Sequence, residues 1–483
     1  MADAATIPRK ISPSAAVAVR LTMALAALVL LLMMVLGLAM RLAQSNWVDL
    51  APDLFYQVMT AHGVGMVGAA GLAGAAIMWF FLNRYVELRV GVYYLFLAFF
   101  LVGVMLILGG TFLGGFAGAW TFLFPLPAMS GGVWNPGASL AFFIGLLCVG
   151  VGFLVLYLDA GLSIVSRYGS LARALGWPQL FAGSQQEAPS PTVVASTVVL
   201  IVNTLSIVAG AIILVISSVN LYVPAFGIDA LLAKNLIYFF GHVFINTTIY
   251  MAVIAVYEII PAYTGRAWKS NKVFLAGWTA TLLLVLAVYP HHLFQDMVMP
   301  AWMLVMGQIL SYVAGIPVIV VTTYALLVYL HRSGIRWDLA SALLVLGIFG
   351  WVAGIIPAII DGTISVNKVM HNTLWVPGHF HFYLLLGMVA IAFGFSIWLA
   401  QGEKPAQSFV PVQKIAFLGY LIGGLGLVAT FLYAGMISVP RRWAVHLPEW
   451  VAQDQLGSIF AAVAVLATAM IVLNYLVRVA RAK

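Results

Sequence analysis

The sequence has very little charge and almost no cysteine. Lys, Arg, Asp and Glu together make up 7% of its 483 residues, whereas hydrophobic residues make up 64%. Soluble domains do not have this balance, so the composition indicates a membrane protein. Cys148 is the single cysteine. It therefore excludes a disulfide framework, an iron–sulfur cluster and any thiolate-paired copper centre built by this chain alone.

The sequence instead contains many long apolar runs. A helix that crosses a bilayer needs about 20 predominantly apolar residues, and twelve such stretches follow one another along the chain. They begin near Ala16, Leu54, Val92, Ala138, Val194, Asn235, Val273, Ala301, Leu339, Asn372, Ile415 and Leu456. No long soluble insertion separates them. We therefore predict an all-α polytopic membrane protein with one domain over residues 1–483.

The basic residues predict the orientation in the lipid bilayer. With both termini on one side, the other side holds Arg41, Lys234, Lys368, Arg441 and Arg442, which leaves 17 of the 22 basic residues (22 − 5) with the termini. The positive-inside rule then predicts cytoplasmic termini in a bacterial inner membrane. This topology accounts for the net charge of +8, so nucleic acid is not an expected partner.

Six histidines are predicted to lie at one depth in the membrane. Given a rise of 1.5 Å per residue, four of them lie roughly 10–16 Å below the outer surface, and two more end the seventh apolar stretch. They are His62, His242, His379, His381, His291 and His292. Buried intramembrane histidines are costly and usually functional. His379 and His381 are two residues apart and so point about 200° apart around a helix. One helix can thus serve two cofactors.

Ligand counting predicts the cofactors. His62 and one member of the His379/His381 pair can saturate a six-coordinate haem suited to electron transfer. The other member can hold a second haem from one side and leave its distal side open. Three nitrogens remain for a transition metal, with copper favoured by imidazole ligation; they belong to His242, His291 and His292. An open haem that faces such a metal suits a small diatomic gas.

Five motifs resemble subunit I of the haem–copper oxidase superfamily, and the match covers essentially the whole chain. They are AHGVGMVG, GHVFIN, YPHHLFQD, HNTLWVPGHFH and VPRRW, and the last two look most like the B-type branch. The resemblance implies a low-spin haem on His62 and His381 and a high-spin haem on His379. It also implies a third metal on His242, His291 and His292 and haem propionates at Arg441, Arg442 and His371.

The resemblance also carries expectations about cofactor type and partner. Both haems are expected to be of b type. The third metal is expected to be copper, with iron as the alternative because some reductases of the superfamily use it. Electrons are expected from a membrane-anchored cupredoxin-like subunit II, since nothing in this chain can hold a dinuclear copper entry site.

One departure from the superfamily pattern predicts the reaction. Oxygen-reducing A- and B-type members place a tyrosine four residues after the helix-six histidine and join it covalently to that histidine, whereas this chain has Asn246. C-type members carry the tyrosine six residues before the His-His pair, where this chain has Val285. Cytochrome-type nitric oxide reductases have a metal-binding glutamate at the first of these positions. We therefore predict a nitric oxide reductase catalytic subunit similar to the sNOR class.

Three alternatives stay open. A B-type terminal oxidase could use Tyr250 or Tyr289 in place of the missing phenol. An enzyme that disproportionates nitric oxide is a more distant alternative. A non-catalytic haem-binding membrane protein is the alternative from another class, although a haem carrier would have no use for three metal-binding histidines.

The proton route of the B-type branch is only partly present. Tyr257, next to Glu258, matches one step of the route along helices six and eight, but the positions around Val318 to Val321 are apolar. The aspartate usually found four residues before the helix-ten loop histidine is Asn367. These departures predict that a carboxylate linked to proton loading is absent, that proton pumping is eroded and that protons arrive from the outer side.

Overall fold

The computed structural model describes residues 9–121 and 130–481, and its regular structure is helical. Twelve helices, α1 to α12, are long and apolar enough to cross a membrane. They are α1 Pro13–Gln44, α2 Pro52–Leu82, α3 Val90–Leu113, α4 Pro136–Tyr168, α5 Pro191–Tyr222, α6 Ala230–Thr264, α7 Lys272–Leu293, α8 Ala301–Leu330, α9 Leu339–Asp361, α10 Trp375–Ala400, α11 Pro411–Met436 and α12 Pro448–Arg481. The predicted all-α fold with twelve spanning helices is confirmed, and α8 and α9 begin at the predicted residues.

Local sequence explains where several of these helices begin. The side chains of Ser12, Asn135 and Ser190 each accept a hydrogen bond from the backbone N–H three residues later, and a proline follows each of them. Such a cap satisfies one of the free N–H groups of the first turn, and proline at the next position costs no hydrogen bond. Polar caps at the ends of apolar runs therefore set the helix boundaries.

Three helices form the centre of the bundle. In the most apolar stretches of α2, α6 and α10, 78%, 83% and 94% of residues are buried, compared with 22–50% in the other nine helices. Apolar contact alone does not drive helices together in lipid, so close packing of their backbones must hold them. Small residues permit that close packing. At Gly350 of α9, for example, an added Cβ would lie 2.3 Å from the backbone carbonyl of Leu386 in α10. The central helices carry four of the six predicted membrane histidines.

Two of the helices that carry histidines, α7 and α10, are irregular near them. Helix α10 is α-helical over Trp375–Tyr383, becomes a π-helix over Leu384–Val389 and returns to α-helix over Ala390–Ala400. Helix α7 ends in a 3₁₀ segment, Tyr289–Leu293. Short π and 3₁₀ segments often mark functional positions, because they rotate side chains away from the regular helical spacing.

Ion pairs identify the two ends of the bundle. The inner end is defined here as the end with the Arg84–Glu403 pair, at 2.8 Å. The outer end is the end with the Arg41–Asp454 pair, at 2.7 Å. The backbone N–H of Arg9 donates to the Arg84 carbonyl, so the described chain enters at the inner end and returns there after twelve crossings. The assignment of the inner end to the cytoplasm stays a prediction.

Candidate functional site

A continuous cavity of ≈ 730 Å³ lies between the central helices. Its volume falls in the range of small-molecule and cofactor sites, roughly 300–1,000 Å³. The histidines and arginines predicted to form the site all line this cavity: His62, His242, His291, His292, His371, His379, His381, Arg441 and Arg442. The structure thus brings together residues that are up to 380 positions apart (442 − 62).

His62 on α2 and His381 on α10 face each other across this cavity. Their ring centroids are 6.2 Å apart and their planes differ by 14°. Each Nδ1 lies near a backbone carbonyl, 2.6 Å from that of Met33 and 2.7 Å from that of Pro377. A carbonyl can only accept, so Nδ1 carries the proton and Nε2 keeps its lone pair. Two bonds of about 2 Å from these Nε2 atoms to one metal fit the ring separation, so the pair fits a six-coordinate haem.

A glycine of α1 confines the His62 ring. A Cβ placed on Gly37 would lie 2.7 Å from Cε1 of His62, which is closer than real Cβ contacts allow. On the other side of the pair, the His381 ring packs against Phe431, with centroids 5.1 Å apart. The two imidazoles therefore have little freedom to rotate, as expected where surrounding groups orient a metal ligand.

His379 points away from His381 and towards α9. Its Nδ1 lies 3.1 Å from the carbonyl oxygen of Gly354, so its Nε2 is also free to bind a metal. The predicted division of α10 between two different neighbours therefore agrees with the placement of the rings. A haem on His379 would have the three-histidine cluster of α6 and α7 beside it, because all four side chains line the same cavity.

His242, His291 and His292 form a cluster in which one ring nitrogen from each histidine lies within 4.8 Å of the other two. Nδ1 of His242 is 3.1 Å from Nε2 of His292, and nitrogens bound to one ion at about 2 Å lie roughly 3–3.5 Å apart. Ser311 Oγ donates to the Gly307 carbonyl at 2.7 Å and is 2.8 Å from Nδ1 of His291. The hydroxyl thus accepts from His291 and leaves Nε2 of His291 for a metal. The cluster fits a transition metal ion.

Asn246 lies one turn below His242 on α6 and contacts it directly. Its Nδ2 is 2.8 Å from the His242 carbonyl and 3.2 Å from His242 Nε2. The hydroxyl of Tyr383 donates to Asn246 Oδ1 at 3.2 Å. Tyr383 is not among the predicted site residues, although the sequence contains a signal for it. Tyr383 follows His379 by four residues and therefore lies on the same helix face.

The two tyrosines named as substitutes for the missing phenol lie elsewhere. Tyr289 donates to Asn235 at 2.9 Å. Tyr250 lines the cavity, but its ring packs between Trp278 and Trp351, with centroids 5.5 and 6.0 Å away. The phenol that the structure places beside Asn246 is that of Tyr383.

Two outer loops bring basic residues to the cavity. The backbone N–H of Arg441 donates to the Asn372 carbonyl at 2.9 Å, which holds Arg441 and Arg442 beside His371. Burial and the charge of Arg442 together lower the pKa of Arg441 to about 10. Burial and both arginines lower the pKa of His371 to about 4. The buried Arg441 Nε has no hydrogen-bond partner among the described residues. This corner thus fits anionic groups such as haem propionates.

The structure separates the two residues predicted for an inner proton route. The hydroxyl of Tyr257 is 2.7 Å from that of Thr322 on α8. Glu258 turns the other way and accepts hydrogen bonds from Tyr85, at 2.8 Å, and from Thr192. Consecutive residues of a helix differ by about 100° in direction, so Tyr257 and Glu258 do not belong to one file of side chains.

The structure places a carboxylate, that of Asp361, beside Asn367. Asn367 Nδ2 donates to Oδ1 of Asp361 at 3.0 Å and to the Asp361 carbonyl at 2.9 Å. Asp361 ends α9, and the short helix Ile364–Met370 folds back onto it after a turn. The carboxylate is therefore present on a residue that the spacing rule did not test.

Comparisons with known proteins agree with this geometry. Residues 17–475 match the family "Cytochrome C and Quinol oxidase polypeptide I". Cytochrome c oxidase subunit 1 of Thermus thermophilus is 28% identical over 247 residues, 46% of this chain and 43% of that protein. The heme-copper oxidase subunit I+III of Aeropyrum pernix is 23% identical over 87% of this chain and 51% of its own length. The chain thus spans about half the length of these relatives or less.

Two further comparisons cover a larger share of the matched protein. Cytochrome c oxidase polypeptide 1 of Halobacterium salinarum is 24% identical over 87% of this chain and 70% of that protein. A solved heme-copper terminal oxidase dimer has the same fold, with a TM-score of 0.81 and 19% identity over 97% of this chain and 84% of that one. The family match covers nearly the entire sequence, and the chain is a membrane-embedded member of the cytochrome c and quinol oxidase polypeptide I family.

Proposed function

We propose that this chain is the catalytic subunit of a membrane nitric oxide reductase, which catalyses 2 NO + 2 H⁺ + 2 e⁻ → N₂O + H₂O. The observation that carries the proposal is Asn246, whose amide lies 3.2 Å from Nε2 of His242. By resemblance, oxygen-reducing members of the B-type branch place a covalently linked tyrosine at this position. An amide cannot be oxidised to supply the extra electron that O–O cleavage uses.

The reaction with nitric oxide fits the residues that are present. A haem and a metal ion would bind the gas and supply the two electrons. Asn246 holds an N–H group against His242 and can donate a hydrogen bond to an oxygen atom beside the metal site. Its other contacts, with the His242 carbonyl and the Tyr383 hydroxyl, fix the direction of that N–H group.

The cofactor assignment follows the geometry of the cavity. His62 and His381 would hold the low-spin haem, and His379 the high-spin haem, both expected to be of b type. Copper, with iron as the alternative, would bind to His242, His291 and His292, and the propionates would meet Arg441, Arg442 and His371. We further propose a cupredoxin-like subunit II as electron donor, in a bacterial cell membrane with cytoplasmic termini.

Oxygen reduction is the second candidate, and two observations favour it. The curated relatives reported above are named as oxidases, so the comparisons support a terminal oxidase better than a nitric oxide reductase. The structure also places a phenol at the site, because the Tyr383 hydroxyl donates to Asn246. In an oxidase Tyr383 would supply the electron and proton that the missing tyrosine supplies elsewhere.

Gas turnover by the purified, reduced complex separates the candidates. We expect rapid N₂O release from NO and slow O₂ uptake.

Asn246→Leu should reduce NO turnover at least tenfold with both haems retained, because the amide is lost. Tyr383→Phe should reduce it only several-fold, because the phenol only orients Asn246. Fast O₂ reduction that Tyr383→Phe abolishes would instead establish the oxidase. Two haems without a third metal or turnover would indicate a non-catalytic haem protein.

A further inference from the structure

Asp361 is a carboxylate that lines the cavity and that the proposed cofactor assignment does not use. Its Oδ1 accepts a hydrogen bond from Asn367 Nδ2 at 3.0 Å. The Oδ1 atom of Asn367 in turn accepts from Gln295 Nε2 at 2.9 Å. Gln295 lies three residues after His292, so this chain of hydrogen bonds runs from the end of α9 to the loop that follows the metal cluster.

Asp361 is also next to the support of His291. A Cβ on the adjacent residue, Gly362, would lie 3.0 Å from Cβ and 3.3 Å from Oγ of Ser311. Ser311 Oγ accepts the hydrogen bond from His291 Nδ1. The backbone that carries the carboxylate therefore packs directly against the hydroxyl that orients a metal-binding histidine.

The surroundings of Asp361 connect it to the outer end of the bundle. Arg441, on the last outer loop, is the cationic group whose charge acts on the carboxylate. The neutral partner Asn367 is buried, with 2% of its surface exposed. Asp361 itself is only partly buried. Asp361 thus lies between the cavity that it lines and the outer loop that carries Arg441.

The opposite route, from the inner end, is interrupted by apolar residues. The hydrogen-bonded pair of Tyr257 and Thr322 lies seven residues further along α6 than Tyr250 (257 − 250), the last residue of α6 that lines the cavity. At the rise of an α-helix this is about 10 Å. Val253 and Ile254, in the intervening part of α6, are fully buried. Unlike Asp361, Tyr257 does not line the cavity.

We propose that Asp361 delivers protons from the outer side into the cavity, an inference that rests on the proposed reduction of nitric oxide. The protonated carboxyl group gives its proton to the oxygen that leaves as water, and the carboxylate then takes a proton from the outer aqueous phase. Two such transfers accompany the two electrons of each turnover, so the reaction balances and Asp361 returns to its starting state. Asn367 is a positioning residue that holds the carboxylate.

The test uses the whole complex in lipid vesicles, fully reduced and mixed with NO. A pH dye reports the aqueous phase that the outer end of the bundle faces. Asp361→Asn should slow proton uptake from that side at least tenfold, because positioned proton donors contribute about 10²–10⁴-fold. Haem spectra, metal content and electron transfer between the haems should not change. The double variant D361N/N367D returns a carboxylate to the same hydrogen bond and should recover most of the rate.

A matched control is Asp296, an outer carboxylate paired with Lys234 at 2.7 Å. Asp296 does not line the cavity, so Asp296→Asn should leave proton uptake unchanged. Normal uptake by D361N, or uptake from the inner side, would overturn the inference while leaving the proposed function intact. If the wild type reduces O₂ instead of NO, the proposed function fails, and the same variants measured with O₂ still test Asp361.

Discussion

At the scale of single residues, each of the three histidines proposed to bind haem has its Nδ1 committed to a backbone carbonyl. The three carbonyls belong to Met33, Pro377 and Gly354, on α1, α10 and α9. A carbonyl within a packed helix cannot rotate away, so it fixes both the tautomer and the direction of the ring. The backbone of α1, α9 and α10 therefore fixes the orientation of the proposed haem ligands.

This arrangement makes Gly37 sensitive to substitution. The Cβ of Gly37→Ala would lie 2.7 Å from Cε1 of His62, so the ring or α1 must move, at a cost of about 1–3 kcal/mol for overpacking. We expect a weakened or shifted absorption band of the low-spin haem and a changed reduction midpoint. Redox titration followed by visible spectroscopy measures both.

The matched control is Gly91→Ala, because a Cβ there meets nothing within 4 Å. Alanine is also the better helix former, so this variant should have the wild-type spectrum. A wild-type spectrum and midpoint for Gly37→Ala as well would contradict the view that α1 holds His62.

At the scale of helices, α10 is the element on which the site depends most. It carries both His379 and His381, and 94% of its most apolar stretch is buried. Its π segment, Leu384–Val389, begins directly after Tyr383 and lies against α9. A change in the distance between α9 and α10 would therefore shift His379 relative to Gly354, which accepts its hydrogen bond.

Gly350→Ala tests this dependence. Its Cβ would lie 2.3 Å from the backbone carbonyl of Leu386, and backbone atoms cannot yield as a side chain does. We expect α9 and α10 to separate and the high-spin haem to be lost or displaced, with the low-spin haem less affected. Carbon monoxide difference spectra of the reduced protein report the high-spin haem specifically.

Gly109→Ala is the control for the helix contact, since a Cβ at Gly109 meets nothing within 4 Å. It should bind carbon monoxide as the wild type does. Equal carbon monoxide binding by Gly350→Ala would mean that close contact of α9 with α10 is not needed for the haem site.

At the scale of the whole molecule, the sequence was sufficient to predict features that can be read from consecutive residues of one segment. Apolar runs of membrane length predicted all twelve helices, and counting along them placed the six histidines at one depth. Features that depend on contacts between distant segments were beyond these rules. Asp361 reaches Asn367 only through a turn, and Glu258 faces Tyr85 rather than α8, because helix rotation is set by packing.

Closure of the bundle is another contact that no local pattern predicted. Helices α1 and α12 meet at the outer end, where Asp454 accepts hydrogen bonds from Arg41 at 2.7 Å and from His446 at 2.6 Å. The side chains of Arg41 and Asp454 are 6% and 0% exposed. Neither charge therefore has water as an alternative partner. The first and the last spanning helix are therefore joined through a buried ionic contact.

Asp454→Asn should destabilise the protein strongly, because it leaves the Arg41 charge buried without its counter-ion. Breaking one side of a buried ion pair costs about 3–5 kcal/mol. The control is Glu403→Gln, which removes the charge of the inner-end pair. In that pair the side chain of Glu403 is 37% exposed and that of Arg84 is 18% exposed. Exposed pairs contribute about 0–1 kcal/mol. Thermal unfolding in detergent should therefore show a much larger fall in midpoint for Asp454→Asn than for Glu403→Gln. Equal shifts would mean that contact between α1 and α12 does not depend on the ion pair, and that apolar packing alone closes the bundle.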